Sequence, residues 1–206
     1  WVSEITGDIP VMFIHDSSAF IIGEIWSGAT KGFENIAGVM IGTGLGFAAV
    51  LGNTVLQNEN GGPGISIYRK PFLDSTAEEY VSRRGIIKRY KNRLKNPNID
   101  IDVKDIAEKA RKGDKNAIDT FSETGKFLGE ILKPELEVLK TQCLIVGGQI
   151  SKSFDLFKDA LHTALQGVKS IKKISASYNI DCGHLLGAAA AVISTYSDKD
   201  IIRFSI

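Results

Sequence analysis

The chain has 206 residues, with 25 Lys and Arg against 24 Asp and Glu, 43% hydrophobic residues, 21 Gly and 2 Cys. That length suits one large α/β domain, or a domain with a fragment of another. A formal net charge of +1 carries no strong field of one sign, so a nucleic-acid partner is not expected and a small-molecule partner is. Cys143 and Cys182 are too few for a disulfide scaffold or a cysteine-built zinc site, and they fit a reducing compartment. The longest apolar run, Gly187 to Ile193, is far short of the roughly 20 residues that span a bilayer, so no membrane partner is expected and the chain reads as cytoplasmic. Residue 1 is Trp with no leader pattern behind it, and the sequence reads as a piece of a longer protein.

In chain order, Pro10 to Ile14 is a β-rich apolar run with its proline at the first position, followed at once by His15 and Asp16. Ser17 to Trp26 predicts a short buried helix. Ala37 to Ile41 and Phe47 to Leu51 flank a glycine-rich Gly42 to Gly46, which predicts a hairpin. Asn58 to Gly64 is turn chemistry, and the irregular stretch up to Leu73 predicts a mobile loop. From Ser75 the apolar spacing of Ala77, Val81, Ile86, Ile87 and Tyr90 is helical. Seven Lys or Arg and no acid stand between Arg83 and Lys95, either a nucleic-acid face or, more simply, a solvated helix face.

Val103 to Ala110 predicts a helix that stops at Gly113. Asp114 can cap the next helix, which runs toward Pro134. Cys143 to Val146 predicts a buried strand ended by Gly147 and Gly148, and Phe154 to Leu165 an amphipathic helix. Ile171 to Ile174 is β-like, and His184 to about Tyr196 is helical. The mixture predicts an α/β architecture without repeats.

Three features each follow an apolar strand, where α/β sheets place ligands. In Gly42 to Gly46, glycines let backbone N–H groups approach a phosphate and Thr43 adds a hydroxyl, although a tight turn explains the pattern equally well. A helix does not follow it and no Gly-Lys-Ser/Thr appears, so it is neither a dinucleotide fingerprint nor a P-loop. Asp16 can accept the proton of an attacking hydroxyl or cap the following helix. Gly147 and Gly148 let a flat ligand lie against the backbone or form a tight turn. His162 and His184 lack partner ligands, and neither cysteine has an assigned role.

The order His15, Asp16, Ser17, Ser18, Ala19, then Gly23 and Glu24, then Gly28, Ala29, Gly32 and Asn35, then Gly42 to Gly46, resembles the ROK family of sugar kinases and sugar-responsive repressors. The likeness continues through Ala77 to Ser82, Ala110 to Asp114, Leu128 and Gly129, Val146 to Gly148, and Leu186 to Ala189. The resemblance implies an actin-like, ribonuclease-H-like ATPase fold of two lobes, with ATP, Mg²⁺ and a hexose in the cleft. It implies that residues 1–34 and 184–206 are remnants of a small lobe, that 35–183 form the large lobe, and that dimers or tetramers form. By position, Asp16 matches the catalytic base. Gly42, Thr43, Gly44 and Gly46 match a phosphate loop, and Gly147 and Gly148 match the adenosine-side motif.

The departures concern the sugar side. His15 stands where sugar-binding members have Asn. Gly61 to Tyr68 replaces the family's Glu-x-Gly-His segment and no cysteine precedes Cys143, so the family's zinc site is expected to be absent. Glu59 is the carboxylate available to replace the missing Glu, which makes His15, Asp16 and Glu59 the expected sugar contacts. The leading expectation is an ATP-dependent hexose or amino-sugar kinase. The alternatives are a non-catalytic sugar-sensing regulator and a degenerate paralogue.

Overall fold

A computed structural model describes residues 2–7, 9, 11–196 and 203–204. A six-stranded sheet runs in the order β7 (Lys173–Ala176), β6 (Cys143–Gly147), β1 (Asn35–Ile41), β2 (Leu45–Leu51), β3 (Thr54–Val55), β8 (Arg203–Phe204). β1 pairs antiparallel with β2 and parallel with β6. The sheet therefore changes strand direction on one side of β1 only. Helices cover both faces, so each strand alternates between two cores instead of between core and water.

On one face Ala37, Val39, Ile41, Phe47 and Val146 pack with the helices of residues 77–164. Those helices are α3 (Ala77–Val81), α4 (Arg83–Leu94), α5 (Val103–Arg111), α6 (Lys115–Val138) and α7 (Phe154–Ala164). On the other face Ile36, Ala48, Val50, Cys143 and Ile145 pack against Phe20, Ile21 and Ile22 of α2 (Asp16–Trp26) and Ala190 and Ala191 of α8 (Gly183–Tyr196). A short helix, α1 (Val2–Thr6), precedes them, and a small hairpin of β4 (Pro71–Phe72) and β5 (Ser75–Thr76) precedes α3.

Most elements stand where their patterns predict. The exceptions have local causes. Residues 11–14 are not a strand, and Pro10 lies outside the described residues. The two-residue alternation survives, since Met12 and Ile14 pack on the α2 core while Val11 and Phe13 are exposed. No neighbouring strand among the described residues supplies the ladder that would make this segment β.

The helix expected from Ser75 is two helices. Ser82 is extended (φ −75°, ψ 173°), and the break lets the Arg83 N–H donate to the Gly42 carbonyl at 2.8 Å. Gly85 permits the tight crossing, because a Cβ there would stand 2.3 Å from the Glu79 carbonyl oxygen.

α6 continues through Pro134 to Val138 instead of stopping. Pro134 and Glu130, whose carbonyl loses its donor, are both exposed, while Leu132 and Leu136 are buried on the inner face. Water can satisfy the freed carbonyl, and packing outweighs the lost bond. β7 begins two residues later than expected, and β2 begins at Leu45, which places Gly46 inside a strand.

The four arginines of the basic stretch of α4 are each paired with acids. Arg83 pairs with Asp102, Arg84 with Glu78 and Glu79, and Arg89 and Arg93 with Glu123. Burial pushes the Arg89 guanidinium down to about 10, against the pull of Glu123. Among the described residues, no helix is long and apolar enough to cross a membrane.

Candidate functional site

Because β1 and β6 are parallel with Met40 opposite Gly147, the Gly42 turn and the segment after Gly148 leave the sheet side by side at its carboxyl end. The turn is tight: the Gly42 N–H donates to the Gly44 carbonyl at 3.0 Å, and the Leu45 N–H donates to Glu78 Oε2 at 3.0 Å. Glu78 is itself held by Arg84 at 2.6 Å.

A cleft of about 620 Å³ opens here, lined by Gly42, Thr43, Arg83, Val103, Arg111 and Ile150 among others. Its two arginines are fixed in place. Arg83 grips Asp102 with Nε at 2.8 Å and Nη2 at 3.0 Å, and Arg111 grips Asp155 at 3.1 and 2.7 Å. These hydrogen bonds hold the Asp102 and Asp155 carboxyls below the usual carboxylate range. Asp102 also caps α5 in a reciprocal capping box with Asp105. At the rim, Asp181 accepts from Gln149 at 2.9 Å and Lys152 at 3.0 Å, and those two bonds lower its pKa. Sequence pattern alone assigns no cleft role to Arg83, Arg111, Gln149 or Lys152. Their partners lie 19 to 44 residues away, and only the fold brings them to one mouth.

Gly147 and Gly148 are explained by packing. A Cβ on Gly147 would meet the Phe20 ring at 2.4 Å, and one on Gly148 (φ +80°) would meet the Ile41 carbonyl oxygen at 2.4 Å. Neither lines the cleft, whereas their successors Gln149 and Ile150 do.

Asp16 is the first helical residue of α2, and the capping residue is His15 rather than Asp16. The Ser17 N–H donates to Asp16 Oδ1 at 2.7 Å, and the Asp16 side chain is 73% exposed. The β2 glycine lies alongside, since a Cβ on Gly46 would stand 3.5 Å from Ser17 Cβ. A second cavity of about 260 Å³ is lined by His15, Gly46, Asn58, Ser66 and Tyr68 among others.

The hairpin thus borders both spaces, with Gly42 and Thr43 on the cleft and Leu45 and Gly46 on the smaller cavity. Glu59 is exposed on the 58–62 turn and does not line this cavity; its neighbour Asn58 does. Asn58 Oδ1 accepts from the Asn60 and Gly62 N–H groups at 3.0 and 2.9 Å, which shapes the turn. His162 and His184 are exposed, Cys182 is exposed and Cys143 is buried. Among the described residues, no group of three His, Cys, Asp or Glu is placed to hold a metal ion.

The sequence model of the ROK family matches residues 4–65 and 74–195. The gap, 66–73, includes Ser66 and Tyr68 of the smaller cavity. A glucokinase of Thermotoga maritima is 23% identical over 207 residues, covering 88% of this chain and 65% of its own length. The chain therefore spans less than two thirds of that relative. Among solved structures, a ROK family glucokinase from Streptomyces griseus in complex with glucose and AMPPNP superposes with a TM-score of 0.75 at 24% identity, over 91% of this chain and 70% of that one. A ROK family transcriptional regulator, a homologue of the E. coli MLC protein, superposes with a TM-score of 0.84 at 20% identity, over 98% of this chain and 55% of that one. These likenesses carry the fold, which is the actin-like ATPase fold expected from the sequence. With the family's pattern running through nearly all of its helices and strands, the chain belongs to the ROK family.

Proposed function

We propose that this protein is an ATP-dependent sugar kinase, with the nucleotide in the larger cleft, the sugar in the smaller cavity and Asp16 as the base between them. One observation carries this reading: the Gly42 to Gly46 hairpin borders both spaces, and Gly46 lies against the residue next to Asp16.

The reaction asks for little covalent chemistry from the protein. It needs an in-line hydroxyl, a carboxylate to take its proton, and positive or N–H-rich surroundings for the phosphates. Thr43 and the turn backbone supply the last at one end of the cleft, with Arg83, Lys104, Arg111 and Lys152 along its walls. The exposed Asp16 carboxylate is oriented by the Ser17 N–H. Gly147 and Gly148 serve the nucleotide side indirectly, by letting α2 and β1 pack closely enough for Gln149 and Ile150 to reach the cleft.

Magnesium fits such a site through the nucleotide's phosphates plus one carboxylate, and Glu78 is the one beside the turn. When bound, it would neutralise phosphate charge. Glucose is the first sugar to test, because the Thermotoga relative is a glucokinase and the Streptomyces griseus structure holds glucose with AMPPNP. A cytoplasmic setting belongs to the same reading.

A second reading, sugar sensing without transfer, draws on the superposition with the regulator over 98% of this chain. Titration calorimetry with AMPPNP, then with glucose, mannose and N-acetylated hexosamines, separates the readings when paired with a turnover assay. Binding of both ligands with sugar-dependent ADP release supports the kinase. Sugar binding without nucleotide binding supports the sensor, and binding of neither overturns both.

A further inference from the structure

Asp181 takes its side-chain hydrogen bonds from two residues that both line the larger cleft. Gln149 Nε2 donates to Oδ1 at 2.9 Å, and Lys152 Nζ lies 3.0 Å from Oδ1 and 3.4 Å from Oδ2. The two donors stand on the 3-10 turn Gln149–Ser153 that follows β6, whereas Asp181 stands in the turn just before α8. An amide N–H and an ammonium converging on one carboxylate are the donors that a phosphate oxygen also takes.

The arginines of the cleft are held differently. Arg83 and Arg111 each grip a carboxylate with two N–H groups, a planar fork that fixes both partners, and Asp102 also caps α5. Lys152 is a point charge on a flexible stem; its side chain is 49% exposed and that of Asp181 is 73% exposed. An exposed pair of this kind is favoured by no more than about fivefold, so a ligand with greater negative charge can outcompete it.

The start of α8 does not depend on the pair. The N–H groups of Cys182 and Gly183 donate to the Asn179 carbonyl at 3.2 and 2.6 Å, and the Ser177 hydroxyl donates to the buried Glu24 carboxylate at 2.6 Å. The Asp181 side chain can turn away while the backbone of its turn stays in place.

We propose that Asp181 is an intramolecular competitor for the anionic ligand of the cleft: it occupies Gln149 and Lys152 until a phosphate oxygen displaces it from both. The inference deepens the nucleotide site of the kinase reading and rests on it. Asp181 thereby determines specificity by charge. It lowers the affinity of every ligand that brings phosphate to Lys152, the nucleoside di- and triphosphates, and leaves the affinity of an uncharged nucleoside as it is.

The test is titration calorimetry with AMPPNP and with adenosine on wild type, Asp181→Asn, Lys152→Ala and the double variant, at physiological ionic strength so that more distant charge is screened. Asparagine keeps the shape of Asp181 and removes its charge. Asp181→Asn should bind AMPPNP about two- to fivefold more tightly, the scale of one exposed ion pair, and adenosine as the wild type does. The gain should vanish in the Lys152→Ala background, because the competition is for that ammonium.

AMPPNP binding that is unchanged or weaker in Asp181→Asn overturns the proposal, as does a gain that persists without Lys152 or that adenosine shares. The binding cycle needs no turnover. The full pattern in a protein that phosphorylates no hexose would sink the kinase reading alone, and hexose turnover with an AMPPNP affinity indifferent to Asp181 would sink this proposal alone. AMPPNP binding to none of the four proteins overturns both.

Discussion

Replacing Gly187 by alanine should pry α8 from α2. A Cβ at Gly187 would stand 1.6 Å from the Ala19 carbonyl oxygen and 2.8 Å from the Gly23 nitrogen, and one on Gly23 would stand 2.0 Å from the Gly183 carbonyl oxygen. The two helices therefore meet backbone to backbone through a reciprocal pair of glycines. Restoring even a 3.0 Å contact at Gly187 requires the helices to part by about 1.4 Å. A gap of that order forfeits more than about half of each dispersion contact along the seam.

That seam includes Phe20, Ile21, Ile22, Ala190 and Ala191. Overpacking of this kind costs about 1–3 kcal/mol or more, and the better helix propensity of alanine returns about 1 kcal/mol, so we expect a net loss of about 2 kcal/mol. Urea unfolding followed by circular dichroism measures it, with Ala189→Gly, on the exposed side of α8, as the propensity control. Gly187→Ala should lower the midpoint further than the control does. A midpoint at or above the wild-type value would refute the close-packed seam, and with it the account of how α2 and Asp16 are held.

The Gly147 explanation predicts a specific coupling. Gly147→Ala should destabilise through the Phe20 ring, and Phe20→Leu should cost less in that background than in the wild type; independent, additive effects would contradict the packing role. Burial pushes the Cys143 thiol from an ordinary value near 9 up to about 11. A raised folded-state pKa means stability present below about pH 9 and lost as pH climbs toward 11. The urea midpoint should therefore fall across that range less steeply in Cys143→Ala than in the wild type, and equal slopes would contradict it. Thr43→Val removes a hydroxyl from the cleft wall and should raise the KM for ATP about tenfold at unchanged melting temperature, the scale of a hydrogen bond to a charged group. An unchanged KM would exclude Thr43 from the phosphates.

Local patterns carried the elements whose cause is local. The β1–β2 hairpin followed from two apolar runs around glycines, α5 from Val103, Ile106 and Ala107, and α8 from its small-residue apolar run. Where tertiary packing decides, the patterns fell short. Pro134 looked like a helix end because its exposed face, which makes the lost bond cheap, is invisible in sequence. Ser82 looks like helix interior because the break there depends on the Arg83 N–H reaching the Gly42 carbonyl, 41 residues away.

The candidate site divides the same way. Asp16 and the glycine turn could be picked out individually, but the walls of the two cavities could not. Arg111 and Lys152 show nothing distinctive in sequence until α5 and the turn after β6 converge. Sequence leaves Gly147 and Gly148 open between a ligand's need and a tight turn, and the structure accounts for them by what Phe20 and Ile41 need.

The central claim is that two cavities flanking one glycine turn deliver nucleotide and sugar to Asp16. Its most direct test is sugar-dependent ADP release from ATP, in wild type and in Asp16→Asn, with AMPPNP binding measured on both proteins. The account predicts turnover with at least one hexose in the wild type, a loss of about 10²–10⁴-fold in Asp16→Asn, as for removal of a general base, and equal AMPPNP binding. ADP release at the wild-type rate in Asp16→Asn would contradict it.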